Sequence, residues 1–172
     1  LKGGIYLKEA ARLNGITQEV YFKDVVGLDH VKETFSKIVH YLKDPEYYAR
    51  RGLVPEKGIL LVGGTRTGKS YSVTALFNEI KKAQLESGAL EEFKFYSLSG
   101  TDIRGNGGFA NIMRIARHEA PCILFIDEID LLSLQRGGEN PMLGEFLTCM
   151  SGALSNDDPK KQVIIIAATN NP

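Results

Sequence analysis

The sequence predicts an α/β fold, a three-layer sandwich whose mostly parallel sheet lies between helices. Three observations carry that expectation. Residues 58–62, 122–126 and 163–168 are short apolar runs of the kind that form strands buried on both faces. Between them, Val73, Leu76, Phe77 and Ile80 recur at i, i+3, i+4 and i+7, the stripe of a helix packed on a sheet. The first run also opens directly into a glycine-rich octet, Gly63-Gly64-Thr65-Arg66-Thr67-Gly68-Lys69-Ser70.

Composition bounds the alternatives. The 172 residues suit one domain, or one domain with a tail. With 43% hydrophobic and 24% charged residues the chain can bury a core and remain a globular fold. Lys+Arg and Asp+Glu both number 21, so net charge gives no attraction for nucleic acid or an anionic membrane surface. Cys122 and Cys149 lack metal-ligand spacing and read as two reduced, mostly buried thiols in a reducing compartment. No run approaches the ~20 apolar residues of a membrane span, and residues 1–6 are no signal peptide.

The elements follow in order. Residues 1–20 read as a lead-in, with a short helix over 7–13 ended by Asn14-Gly15. Val31, Phe35, Ile38, Val39 and Leu42 then mark one face of a helix. Asp44 caps a further helix with Pro45 at its first position, and that helix ends before Gly52. After the stripe that follows the octet, a polar link over 87–92 leads to a second strand at 93–98. Ser99-Gly100-Thr101-Asp102 closes this strand, and a loop with Gly105, Gly107 and Gly108 follows. Phe109, Ile112, Met113 and Ala116 form a core-facing helical stripe, and Ala120-Pro121 delivers the chain to the strand at 122–126. Residues 135–139 are a loop; Asn140-Pro141 caps a helix burying Leu143, Phe146, Leu147 and Met150. A solvated turn at 157–161 precedes the last strand, which is tipped by Thr169 and Asn170.

Two stretches carry chemistry. The octet satisfies G-x-x-x-x-G-K-[ST], whose backbone N–H groups wrap a nucleotide's phosphates at a helix N-terminus. Lys69 then reaches the β- and γ-phosphates, and the Ser70 hydroxyl takes one Mg²⁺ position. The run Cys122-Ile123-Leu124-Phe125-Ile126 ends in Asp127-Glu128. An acid pair at the carboxyl end of a parallel strand lies where open α/β sheets bind ligands. Asp127 suits the Mg²⁺ shell, and Glu128 suits the base that orients and deprotonates water. Asn170, alone, reads as a turn residue as readily as a γ-phosphate contact.

Taken in sequence, five stretches resemble the AAA+ ATPases. They are Phe22-Lys23-Asp24-Val25-Val26-Gly27, the octet, Ala120-Pro121 into Ile126-Asp127-Glu128-Ile129-Asp130, Gln135-Arg136-Gly137, and Ala167-Ala168-Thr169-Asn170. The chain is most similar to the FtsH group, membrane-tethered ATP-dependent proteases, over roughly residues 20–172. The resemblance implies a lead-in at 1–20 and, at 21–172, a core matching the family's large subdomain. It implies ATP and Mg²⁺, a homo- or hetero-hexameric ring, and protein substrates that ATP hydrolysis unfolds and threads. It also implies a protease domain or partner outside this chain, and no nucleic acid. Val26 and Gly27 would lie against the adenine, Tyr71 would join the loop in holding the nucleotide, and Asn170 would sense the γ-phosphate.

The family's loop reads Gly-Pro-Pro-Gly-Thr-Gly-Lys-Thr; here Gly64, Thr65 and Arg66 stand in its middle, positions the general pattern leaves free. The stretch 101–109 is shorter than the family's and lacks its aromatic-aliphatic-glycine pore step. His118-Glu119 opens like H-E-x-x-H, but Cys122 stands where the second histidine belongs, so no peptidase motif is present. His30 and His40 read as surface residues. The helical lid and arginine fingers would fall after Pro172. A finger is worth roughly 10³–10⁵ in kcat, so slow turnover by the isolated chain is expected. Two other readings share these residues: a non-hydrolysing nucleotide-binding ring subunit, favoured by Arg66 and the short pore stretch, and another AAA+ branch.

Overall fold

In a computed structural model, residues 19–64, 67–87, 94–105, 107–129, 144, 146–148, 151, 158 and 161–170 are described. Four strands form one all-parallel sheet: β1 (Gly58–Val62), β2 (Lys94–Leu98), β3 (Cys122–Ile126) and β4 (Val163–Thr169). Their order is β1-β4-β3-β2, so the strand of the glycine octet and the strand of the two acids flank β4. Helices α1 (Asp29–Lys43), α2 (Pro45–Arg51), α3 (Lys69–Ser87), α4 (Gly100–Gly105) and α5 (Phe109–His118) accompany them, and residues 144, 146–148 and 151 are also helical. The expectations over residues 7–13, 88–93 and 135–139, and those on Thr65, Arg66, Leu143 and Met150, lie outside the described residues.

Side-chain alternation produces the layers. Cys122, Leu124 and Ile126 of β3, with Val163, Ile165 and Ala167 of β4, face the α5 stripe Phe109, Ile112, Met113 and Ala116. Ile123 and Phe125, with Ile164, Ile166 and Ala168, face the other way. There they meet Phe35 and Ile38 of α1 and Val73, Leu76 and Ile80 of α3. Each Val, Leu, Ile, Phe or Met among them contributes roughly 1.5–3 kcal/mol on burial. The expected α/β sandwich is therefore the observed one.

Local signals act as read at α2. Asp44 Oδ1 accepts from the Tyr47 N–H at 2.9 Å, Pro45 takes the first position, and Gly52 ends the helix with φ 62°. Three expectations are corrected. β1 is not buried on both faces: only Leu61 is buried, while Leu60 is 57% and Val62 50% exposed. Among the described residues it pairs with β4 alone, and no described helix covers the face that carries Leu60 and Val62. Residues 100–105 form α4 instead of a strand-closing turn and loop. Ser99 and Asp102 explain this reciprocally: the Ser99 N–H donates to Asp102 Oδ2 at 2.9 Å, and the Asp102 N–H donates to Ser99 Oγ at 3.2 Å. Leu147 is 57% exposed; its neighbour Phe146 is buried against Phe109, ring centroids 5.0 Å apart.

Candidate functional site

The carboxyl ends of β1, β4 and β3 come together at one edge of the sheet. There Lys69, Ser70, Asp127, Glu128 and Asn170 line a single open cavity of about 440 Å³. Gly64, Thr67, Gly68 and Tyr71 complete its wall.

The loop side is built from hydrogen bonds. The Gly63 N–H donates to the Thr169 carbonyl at 3.2 Å, extending the β1–β4 ladder by one residue. Thr67 Oγ1 donates to the Gly64 carbonyl at 2.8 Å, closing the turn. A Cβ at Gly63 would lie 2.8 Å from that same Thr67 hydroxyl, so a side chain there would force the turn open. Gly68 has φ 88°, a left-handed conformation that strains any residue with a Cβ, and it starts the path into α3. Lys69 then folds back over the loop. Its ammonium donates to the Gly63 carbonyl, to the Thr169 carbonyl at 2.9 Å and to Asn170 Oδ1 at 2.8 Å, with the Gly64 carbonyl at 3.3 Å. Ser70 is exposed in the first turn of α3.

The acid side is held by packing. β3 is buried along its whole length, and the Asp127 N–H donates to the Leu98 carbonyl of β2 at 3.1 Å. Asp127 Oδ1 accepts from the Glu128 N–H at 2.9 Å. Glu128 itself is exposed with φ 51°, a left-handed conformation costing about 1–3 kcal/mol in a non-glycine residue. At that turn the chain leaves the strand, and Glu128 lines the cavity beside Asp127. Among the described residues no ion pair joins Lys69 to either acid.

The remaining sequence candidates are placed differently. Val26 is 95% exposed and, like Gly27 and Gly63, does not line the cavity. Thr65 and Arg66 lie outside the described residues. The 20–28 segment nevertheless borders the site. The Leu28 side chain lies 3.5 Å from where a Cβ on Gly68 would stand. α3 anchors the segment's start: Asn78 Nδ2 donates to the Val20 carbonyl at 2.9 Å, and the Phe22 N–H donates to Glu79 Oε1 at 3.1 Å. Sequence reasoning missed Leu28, Asn78 and Glu79. A clue was present, because Asn78 and Glu79 are polar interruptions beside an apolar helical stripe. At the opposite, amino end of β2, Lys94 pairs with Glu119 and holds its carboxyl below the ordinary carboxylate value.

The donor set fits a polyanion with a divalent cation. One ammonium and a helix N-terminus lie on one side, and a hydroxyl and two carboxylates lie within the same cavity.

Comparison with known proteins adds an independent line. The sequence model of the family described as "ATPase family associated with various cellular activities (AAA)" matches residues 59–172. An "ATP-dependent zinc metalloprotease FtsH" of Pseudomonas putida is 35% identical over 164 residues, covering 90% of this chain and 25% of that protein. Proteins of the same description from Rhodothermus marinus and Ralstonia pickettii are each 37% identical, over 164 and 163 residues. They are covered to 22% and 21% of their own length, and 89% of this chain is covered in each case. The chain thus spans about a quarter of the length of the curated relatives it matches.

Proposed function

The chain belongs to the AAA family of ATPases, and from that premise we propose that its cavity binds Mg²⁺-ATP and hydrolyses the γ-phosphate bond. The observation that carries this reading is the convergence of Lys69, Ser70, Asp127, Glu128 and Asn170 on one cavity from three separate elements.

The roles follow from chemistry and position. Lys69 supplies a point charge to the β- and γ-phosphates, exchanging its carbonyl partners for phosphate oxygens. Gly63, Gly64, Thr65, Arg66, Thr67 and Gly68 form the backbone cradle, with Tyr71 at its end. Ser70 and Asp127 are the residues that would hold Mg²⁺, which when bound neutralises charge on the transferring phosphoryl group. Glu128, exposed at the mouth, orients a water and takes its proton. The Asn170 amide, bonded here to Lys69, has an acceptor and two donors and is suited to report on the γ-phosphate. Val26 and Gly27 flank the outer side, toward the base.

Beyond the single chain, we read it as the motor module of a ring, homo- or hetero-hexameric, that unfolds and translocates protein substrates toward a protease carried elsewhere. The support is the description of the relatives as ATP-dependent zinc metalloproteases.

Calorimetric titration with Mg²⁺-ATP tests the site. The wild type takes up nucleotide, and Lys69→Ala loses at least about a hundredfold in affinity, two hydrogen bonds to charged groups at roughly 1.5–3 kcal/mol each. Equal affinity of the two proteins would refute the reading.

A further inference from the structure

A second cavity, of about 430 Å³, is lined by Asp44, Tyr47, Arg50 and Arg51, and none of these residues lines the nucleotide cavity. It belongs to the other end of the sheet. Beside it, Tyr48 of α2 meets the fully buried Tyr41 of α1 edge-on at 5.3 Å. Tyr41 in turn hydrogen-bonds the backbone of Gln162, just ahead of β4, whereas the nucleotide cavity lies where that strand ends.

This cavity holds a cation that the surrounding fold leaves unneutralised. Asp44 is engaged as a helix cap by the Tyr47 N–H, and Arg50 faces Glu46 at 3.6 Å. Among the described residues no carboxylate pairs with Arg51. Its guanidinium is nevertheless held in place, 3.9 Å over the Tyr47 ring. That ring is braced edge-on by His40 at 5.6 Å and by Tyr48 at 5.9 Å, and Tyr48 is rooted in the core through Tyr41. A guanidinium resting on a fixed ring has less rotamer freedom to lose on binding. Its planar fork of N–H groups matches a carboxylate in two parallel hydrogen bonds.

The surroundings decide what carries that carboxylate. Asp44, Glu46, Arg50 and Arg51 are two acids and two bases, so the patch offers no net attraction to an anionic membrane or a nucleic acid. Next to it Leu53 and Val54 are 44% and 66% exposed, and the Leu53 N–H donates to the Tyr48 carbonyl at 2.9 Å, which keeps them against the end of α2. A small inorganic anion would leave these side chains in water. An aromatic ring and an arginine flanked by apolar side chains are what the core of a protein–protein contact is made of.

We propose that this cavity is the docking site of a partner protein, and that it takes a segment in which an aspartate or glutamate stands beside apolar side chains. The carboxylate pairs with Arg51 on its tyrosine platform, and the apolar neighbours cover Leu53 and Val54. The proposal is independent of the nucleotide reading.

Fluorescence anisotropy with a labelled peptide of alternating glutamate and leucine, and with its glutamine-for-glutamate counterpart, tests it. The wild type binds the glutamate peptide at least about tenfold more tightly than the glutamine peptide, the scale of hydrogen bonds to a charged group. Arg51→Ala loses that difference. Arg51→Lys loses most of it too, because an ammonium offers no fork. Equal affinity of the wild type for the two peptides, or uptake of neither, overturns the proposal without recourse to a variant. Full affinity in Arg51→Ala or in Arg51→Lys overturns it as well. So does displacement of the peptide by equimolar inorganic phosphate, which would make the cavity a small-anion site, or by phosphatidylserine vesicles, which would make it a membrane contact. Self-association of the chain that Arg51→Ala abolishes in sedimentation would seat a second copy there and overturn the separate partner.

Discussion

β3 and β1 carry the two halves of the site and are held in opposite ways. All five residues of β3 are buried, it has a neighbour on each side, and its two apolar faces contribute to both cores. Among the described residues β1 has one neighbour, a single buried residue in Leu61, and two half-exposed apolar side chains. The acids Asp127 and Glu128 therefore issue from a strand positioned by packing. The loop after β1 is positioned by polar links instead: Gly63 to Thr169, Thr67 to Gly64, and the Lys69 ammonium to β4 and its tip. Rigid placement suits groups that must aim at water and metal. A loop tied by exchangeable hydrogen bonds suits a group whose partners change when a polyanion arrives.

The largest effect expected from breaking this contrast is chemical. Glu128→Gln keeps the shape of the acid side but removes its base. Steady-state phosphate release should fall about 10²–10⁴-fold while ATP affinity stays near the wild-type value. A variant that hydrolyses normally would remove Glu128 from the base role. Next comes the packed strand itself. Ile123 is fully buried in β3, and Ile123→Ala should cost about 2–5 kcal/mol in a denaturant unfolding experiment. On β1 the matching truncation is mild. Leu60 is 57% exposed, and Leu60→Ala should cost less than about 1 kcal/mol. Similar costs at the two positions would mean that β1 is covered in solution.

The smallest effect concerns pH at the far end of the sheet. A hydrogen bond from Lys94, assisted by one from Tyr96, lowers the Glu119 pKa from its ordinary value. Its folded value lies below its unfolded value, so its contribution to stability is present above the ordinary carboxylate range and is lost as pH falls through the folded value. The pair is about a third exposed, which limits the contribution to less than about 1 kcal/mol. Melting curves of the wild type and Glu119→Gln should therefore differ at neutral pH and converge in acid. A constant difference would assign the effect to packing.

Much of this was legible before any coordinates. The β3 run, the α5 stripe and the Asp44-Pro45 cap are local patterns, each complete within a dozen residues, and local patterns survive folding. The exposure of β1 was not legible, because an apolar run does not encode whether its strand lies at an edge or in the middle. α4 was hidden by the glycines at 100 and 105, which outweighed the Ser99–Asp102 cap in the reading. Lys69 and Asn170 were each assigned to the site, yet their mutual bond spans 101 positions and no spacing rule reaches so far. The links from Asn78 and Glu79 to the 20–22 segment are hidden for the same reason, at 58 and 57 positions.

The order β1-β4-β3-β2 has a consequence for charge. β4 stands between the strand that leads into the phosphate loop and the strand that ends in the carboxylates, and its tip holds the Lys69 ammonium through the Thr169 carbonyl and Asn170 Oδ1. Occupied there, the ammonium makes no salt bridge to either acid among the described residues. Both poles stay uncancelled, and a guest bearing phosphate at one end and a metal ion at the other completes the circuit.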